Sequence, residues 1–202
     1  HSARAALVQL QLAVRHGVLY LDGGWQSLVD QLRQQASEHG VRLETSAGVR
    51  EVTCSDGQVT GVELADGRHL DASAVVLAVD PQTAARLAPL AHDVVAFASH
   101  CVPARTGCLS VVLKRLPRPE RTFALGIDKP YYYSVHSASA KLAPHGWSVV
   151  HLARYQEPDA PHDADVERQL AEWLDQLQPG WRSELVTKQY LPSMVAASAI
   201  DR

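Results

Sequence analysis

Apolar positions along the chain repeat with two different periods, and the changes from one to the other divide it into elements. Ala5 to Val14 is rich in Ala, Leu and Val with little polar interruption, which predicts a helix that breaks at His16-Gly17. Val18, Leu19 and Tyr20 then lead into the pair Gly23-Gly24. From Trp25 onward Leu28, Leu32 and Ala36 recur at helical spacing, and His39-Gly40 closes this second helix with a left-handed C-cap.

The next stretch changes period. Val41 to Glu44 and Val49 to Cys54 read as short strands, the second closed by Ser55-Asp56-Gly57, a turn in which Gly accepts a positive φ. Val59 to Leu64 is a third strand, and Asp66-Gly67 is a hairpin signal that returns the chain along His69 to Asp71. Ala74 to Val79 is apolar without alternation, as expected of a parallel-type strand buried on both faces, and Asp80-Pro81 stops it.

Beyond it, Gln82 to Leu90 predicts a short helix. Leu109 to Leu113, Phe123 to Ile127, Tyr131 to Val135 and Trp147 to Leu152 are strand candidates rich in aromatic and β-branched residues. Asp163 to Leu177 places Val166, Leu170, Leu174 and Leu177 on one helical face, with Pro179-Gly180 after it. Glu184 to Leu191 is the last strand. The expected fold class is mixed α/β (α+β): a β-meander plus a buried parallel-type strand, followed by a mostly antiparallel sheet with flanking helices.

Composition narrows the function classes. The 202 residues are 46% hydrophobic and 20% charged, enough apolar material for a core. Nineteen basic and 22 acidic residues are spread evenly for a net charge of -3, and no basic block marks a nucleic-acid partner. No apolar run approaches the ~18 residues that span a bilayer. The opening His1-Ser2-Ala3-Arg4 lacks the pattern of a signal peptide. Cys54, Cys101 and Cys108 show no CxxC spacing, so a reducing cytoplasm is the expected setting. The ten histidines form no HxH or HExxH motif, and no metal is expected.

"YLDGGWQSLVDQL" poses the main question of chemistry. A dinucleotide fingerprint needs G-x-G-x-x-G between a strand and a helix, with an acidic residue ~20 positions on. Here Gly23-Gly24 is followed by the bulky Trp25, so the pair is read as a tight turn into a helix and not as a phosphate loop. Tyr131 and Tyr133 share one face of their strand and Tyr132 takes the other with His136 nearby. They could line an apolar cavity, though core packing is the plainer reading. The serines near histidines, Ser110, Ser134, Ser137 and Ser139, lack a G-x-S-x-G elbow, and Cys108 has no base beside it in sequence. No catalytic residue is assigned.

In order and spacing, "YLDGGWQSLVDQL", "GVRLETSAGVREV" and "GQVTGVELADGRHLDASAVVLAVDP" resemble the middle of the FAD-dependent amine oxidase and phytoene desaturase superfamily. The resemblance is continuous from Tyr20 to Pro81 and weaker to the C-terminus, where "LPSMVAASAI" looks like the approach to the last flavin-binding segment. The glycine-rich fingerprint of that superfamily has no match before Tyr20, so the chain is expected to be an internal fragment. The resemblance implies residues 1–90 as a partial FAD-domain segment and residues 91–202 as the substrate-binding domain.

It also implies cofactor-facing positions. Val49 falls where the superfamily holds the adenine edge through main-chain hydrogen bonds; an ordinary strand valine is the competing reading. Gly23 and Gly24 match a turn at the inner end of the substrate cavity, while Ala78 and Pro81 match the end of a strand near the nucleotide. A purely structural role competes for these four as well. The implied parent is an FAD-dependent oxidoreductase that moves a hydride from a small apolar substrate to flavin. The isolated chain is expected to be inactive, to hold no FAD for want of a phosphate-binding turn, and to be capable of forming a homo-oligomer through Ala74 to Val79. The alternatives are a non-catalytic ligand-binding or interaction domain on the same sheet, and an isomerase or carrier with a redox-inert flavin.

Overall fold

A computed structural model describes residues 3–17, 19–157 and 163–201. His1-Ser2, from the opening stretch without a signal-peptide pattern, and Val18, from the apolar lead-in to the glycine pair, lie outside them. In chain order the helices are α1 (Ala3–His16), α2 (Trp25–Glu38), α3 (Pro81–Leu87), α4 (His92–His100) and α5 (Val166–Leu177). The strands are β1 (Val49–Ser55), β2 (Gln58–Leu64), β3 (His69–Asp71), β4 (Cys101–Leu113), β5 (Phe123–Leu125), β6 (Tyr131–Val135), β7 (Ser148–Gln156) and β8 (Leu185–Asp201). The mixed class is as the periodicities predict.

The chain divides into two compact units, one of residues 1–35 and 104–196 and the other of residues 36–103 and 197–202. The first is built on a five-stranded sheet of order β5-β6-β7-β4-β8, in which β5-β6, β6-β7 and β4-β7 are antiparallel. Its core lies between one face of that sheet and α5. Val166, Leu170 and Leu174 recur every fourth residue and are all 0% exposed, because side chains at i and i+4 stack on one helical stripe. Against them stand Leu109, Val111, Tyr133, Val135, Val150 and Leu152. A Cβ on Gly107 would meet Val166 Cγ1 at 2.6 Å, so the glycine is what lets α5 begin directly on β4.

The second unit is a meander of order β1-β2-β3, antiparallel throughout, with α3 against β1 and α4 against α3. Asp80 caps α3, its carboxylate accepting from Thr83 N at 2.9 Å, and Pro81 fills the first turn, where a missing N–H costs nothing.

Two expected strands do not form, and one helix was not expected. Ala74 to Val79 joins no ladder among the described residues, and Val76 is 91% exposed. The apolar run encodes a need for cover on both faces, but a strand exists only where another strand offers its edge, and β3 pairs with β2 alone. Val41 to Glu44 likewise forms no ladder. Helix α4 has no counterpart in the sequence reading: its nine residues hold one contiguous apolar run, Val94 to Ala98, between polar ends, too short to show a helical period.

Candidate functional site

Alternation along a strand and direct pairing across it sort the larger sheet into two chemically different faces. Register sets Ser110 opposite His151 and Ser134 opposite His151 from the other side, with Cys108 and Tyr132 both opposite Ala153. The face turned away from α5 therefore carries Cys108, Ser110, Tyr132, Ser134 and His151.

Those side chains meet. The Ser110 hydroxyl lies 2.8 Å from His151 Nδ1. The His136 ring, on the turn after β6, packs tilted against His151 at 4.2 Å between centroids, and Tyr20 meets His136 edge-on at 5.2 Å. Thr106 Oγ1 sits 3.1 Å from Cys108 Sγ. Toward the sheet edge, Phe123 meets the Tyr132 ring edge-on at 5.8 Å. Leu125, opposite Tyr132 on β5, adds a side chain 61% exposed.

The electrostatics of this face are those of an uncharged surface. Burial, with the neighbouring His136 adding to it, depresses His151 from 6.5 to about 4, and burial lowers His136 as well. Both rings are neutral near pH 7. Burial raises the Tyr132 phenol above 10; the Ser134 hydroxyl opposes the rise, while the Tyr20 and Tyr155 phenols add to it. Among the described residues no carboxylate hydrogen-bonds His151, so the Ser110–His151 pair lacks the third group that makes such a pair a nucleophile and base. The face is suited to orienting an apolar molecule, offering it a few hydrogen bonds, and excluding water.

The Gly pair is a clamped turn. Gly23 and Gly24 both take positive φ, 79° and 74°, which glycine adopts without strain. Gly23 N–H donates to Lys141 O at 2.9 Å, and Lys141 N–H donates to the Asp22 carboxylate at 2.7 Å. Ser27 Oγ–H donates to Gly24 O at 2.7 Å, and Leu142 Cδ2 lies 3.7 Å from where a Gly24 Cβ would be. This two-way bond ties the turn to the loop that follows His136, the residue packed against His151.

In the smaller unit, Val49 opens β1 at the free edge of the meander. It faces Leu64 as a non-hydrogen-bonded pair: Ala65 N–H donates to Gly48 O at 2.7 Å, while the Leu64 N–H turns away to Arg68 O at 2.8 Å. In such a pair each residue's own N–H and C=O point away from the partner strand, so those of Val49 face the open edge. Ala78 is exposed in the ladder-free run, and Pro81 is the first residue of α3, which lies against β1. The Asp80 carboxylate accepts from Thr83 N–H at the start of α3.

Sequence reasoning separated Tyr132 from Tyr131 and Tyr133 correctly: the latter two pack on Trp173 of α5. It missed the meeting of Ser110 with His151, which are 41 positions apart and joined only by the register of β4 on β7. Cys54, Cys101 and Cys108 are free thiols. Among the described residues no group of His, Cys, Asp or Glu is placed to hold a metal, and no helix is long and apolar enough to cross a membrane.

Comparison with known proteins bears on this geometry. The family model for flavin containing amine oxidoreductases matches residues 2–106, just over half of the chain. Hydroxyneurosporene desaturase of Cereibacter sphaeroides is 39% identical over 81 residues, which are 40% of this chain and 16% of that relative. Among solved structures, an oxidoreductase from Methanosarcina mazei superposes with a TM-score of 0.67 at 19% identity, over 84% of this chain and 42% of its own. Reduced UDP-galactopyranose mutase gives 0.68 at 13% identity, over 88% and 40%. At these identities the structural likeness concerns the fold. The chain spans less than half the length of each of these structures.

Proposed function

The chain belongs to the flavin containing amine oxidoreductase family, and on that premise we propose that it is the substrate-binding portion of an FAD-dependent oxidoreductase. The parent moves a hydride from a C–H or C–N bond of a small, mainly apolar substrate. The observation that carries this reading is the neutral aromatic face of Tyr20, Tyr132, His136 and His151, with Ser110 as its hydrogen-bonding partner.

A bound FAD would supply the hydride acceptor at its N5. The chain's own residues do the rest. The outward N–H and C=O of Val49 hold the adenine edge. The tyrosines and histidines lay the substrate against the sheet and keep water away. No side chain on this face has to give or take a proton, which suits a reaction whose difficult step belongs to the cofactor. Gly23 and Gly24 shape the turn bonded to the loop after His136, while Ala78 and Pro81 line the approach to the nucleotide.

Residues 1–90 then contribute flavin-domain segments and 91–202 the substrate-binding domain, which holds all five strands of the larger sheet, β4 to β8. The free thiols Cys54, Cys101 and Cys108 suit a cytoplasmic setting. The exposed Val76 and Val79 suit cover by a second copy, and light scattering that finds only monomer would remove that idea.

Purified full-length parent is expected to be yellow and to bleach when apolar substrates are added without oxygen. A colourless, flavin-free parent would favour a non-catalytic ligand-binding domain. The adenine role has its own test. Val49→Ala keeps the backbone donor and should change flavin affinity in the parent less than about threefold, whereas Val49→Pro removes the N–H and should weaken it at least about tenfold. Equal affinity in two folded variants counts against the assignment.

A further inference from the structure

We infer that Ser110 and His151 form a hydrogen-bonding anchor for a hydroxyl or carbonyl oxygen on an otherwise apolar substrate, so that this face selects neutral oxygen-bearing molecules over ammonium ones. The inference rests on the substrate-binding reading given above and deepens it.

The Ser110 Oγ···His151 Nδ1 bond of 2.8 Å uses one imidazole nitrogen and leaves Nε2 without a hydrogen bond among the described residues. The pair has two arrangements. When Ser110 donates to Nδ1, Nε2 carries the proton and donates outward; when Nδ1 carries it, Nε2 accepts and the serine hydroxyl is free to donate. A hydroxyl, donor and acceptor at once, satisfies both; a carbonyl satisfies those in which the pair donates.

What surrounds His151 argues against a cation. Ser110 on β4, Ser134 on β6, Val149 and Ala153 along β7, and His136 on the turn after β6 are its neighbours, and none is acidic. An ammonium group here would lose its water without gaining a carboxylate, and the Tyr20 and Tyr132 rings return only part of that loss. His151 itself stays neutral for the same reason.

The test titrates the chain with 1-octanol, octane and octylammonium chloride at pH 7 and follows the His151 ring nitrogens by nitrogen-15 NMR. Octanol is expected to shift the His151 resonances saturably and to bind at least about tenfold more tightly than octane or octylammonium, and Ser110→Ala should cut octanol affinity about tenfold while leaving octane unchanged. Octane moving the same resonances equally, or octylammonium binding as tightly as octanol, overturns the anchor. Should Ser110→Ala fail to fold, the selectivity of the native chain still decides. A flavin-free parent would sink the oxidoreductase reading and leave the octanol result standing. A yellow parent whose chain prefers octylammonium would sink only the anchor.

Discussion

Replacing Gln178 with Leu should destabilise the larger unit by about 3 kcal/mol, although the two side chains have similar volumes. Gln178 is 0% exposed. Its Oε1 accepts from Arg118 N–H at 2.7 Å, and its Nε2 donates to Arg118 O, Arg121 O and the Tyr133 hydroxyl at 2.9, 3.1 and 2.9 Å. Leu makes none of these bonds. It orphans a backbone N–H and removes a donor from two carbonyls, at roughly 1–3 kcal/mol for each buried group left unmade. Tyr133→Phe is the control: its hydroxyl also donates to Arg121 O at 2.7 Å, but Gln178 would keep Arg118, so a loss of about 1 kcal/mol is expected. Urea unfolding followed by tryptophan fluorescence measures both, since Trp173 packs on Tyr131 and Tyr133. A Gln178→Leu variant no weaker than Tyr133→Phe would show that the hub contributes little. Tyr133 shares β6 with Tyr132 and Ser134, so slack in this hub should reach the substrate-facing side of the sheet.

Acidification should weaken the same unit through His151. Its pKa is about 4 in the folded chain against 6.5 when exposed, so the unfolded chain takes the proton first. Stability from this group is complete above pH 6.5, falls between 6.5 and 4, and is gone below 4. At ~1.4 kcal/mol per unit, the difference amounts to at most about 3 kcal/mol. Neighbouring His136, also lowered, adds to the slope in the same direction. Asp163, held low by Arg154, loses its contribution only at more acid pH. His151→Phe should flatten the dependence between pH 6.5 and 4.5, measured by urea midpoints. An unchanged slope in that variant would mean that His151 is not held neutral by its surroundings.

What could be read in the sequence was local. The stripe Val166, Leu170, Leu174 fixes α5 because any helix of that pattern has one apolar side to bury. The meander from Val49 to Asp71 is written in Asp56-Gly57 and Asp66-Gly67, turns whose chemistry depends only on adjacent residues. Tyr131-Tyr132-Tyr133 divides between two faces because the pleat alternates. The family resemblance between Tyr20 and Pro81 was legible for the same reason: each of its motifs is a short local pattern, and their order was visible along the chain.

Contacts between distant segments belonged to the fold alone. Ser110 meets His151, and His136 meets Tyr20, only through the register of β4 on β7 and the clamp between Gly23 and Lys141. Neither Ser110 nor His151 carries a local signal, since a serine and a histidine in strands are ordinary residues until pairing sets them side by side. The neutrality of that histidine was equally hidden, because a pKa reports burial and neighbours, which sequence distance does not measure. Ala74 to Val79 marks the opposite limit. Its apolar run states what the segment needs on its two faces, whereas a strand also requires a partner edge, and pairing is a property of two segments. Sequence by itself determined which surfaces must be buried; tertiary structure decided which residues meet there, because register and packing act between parts of the chain that no local pattern connects.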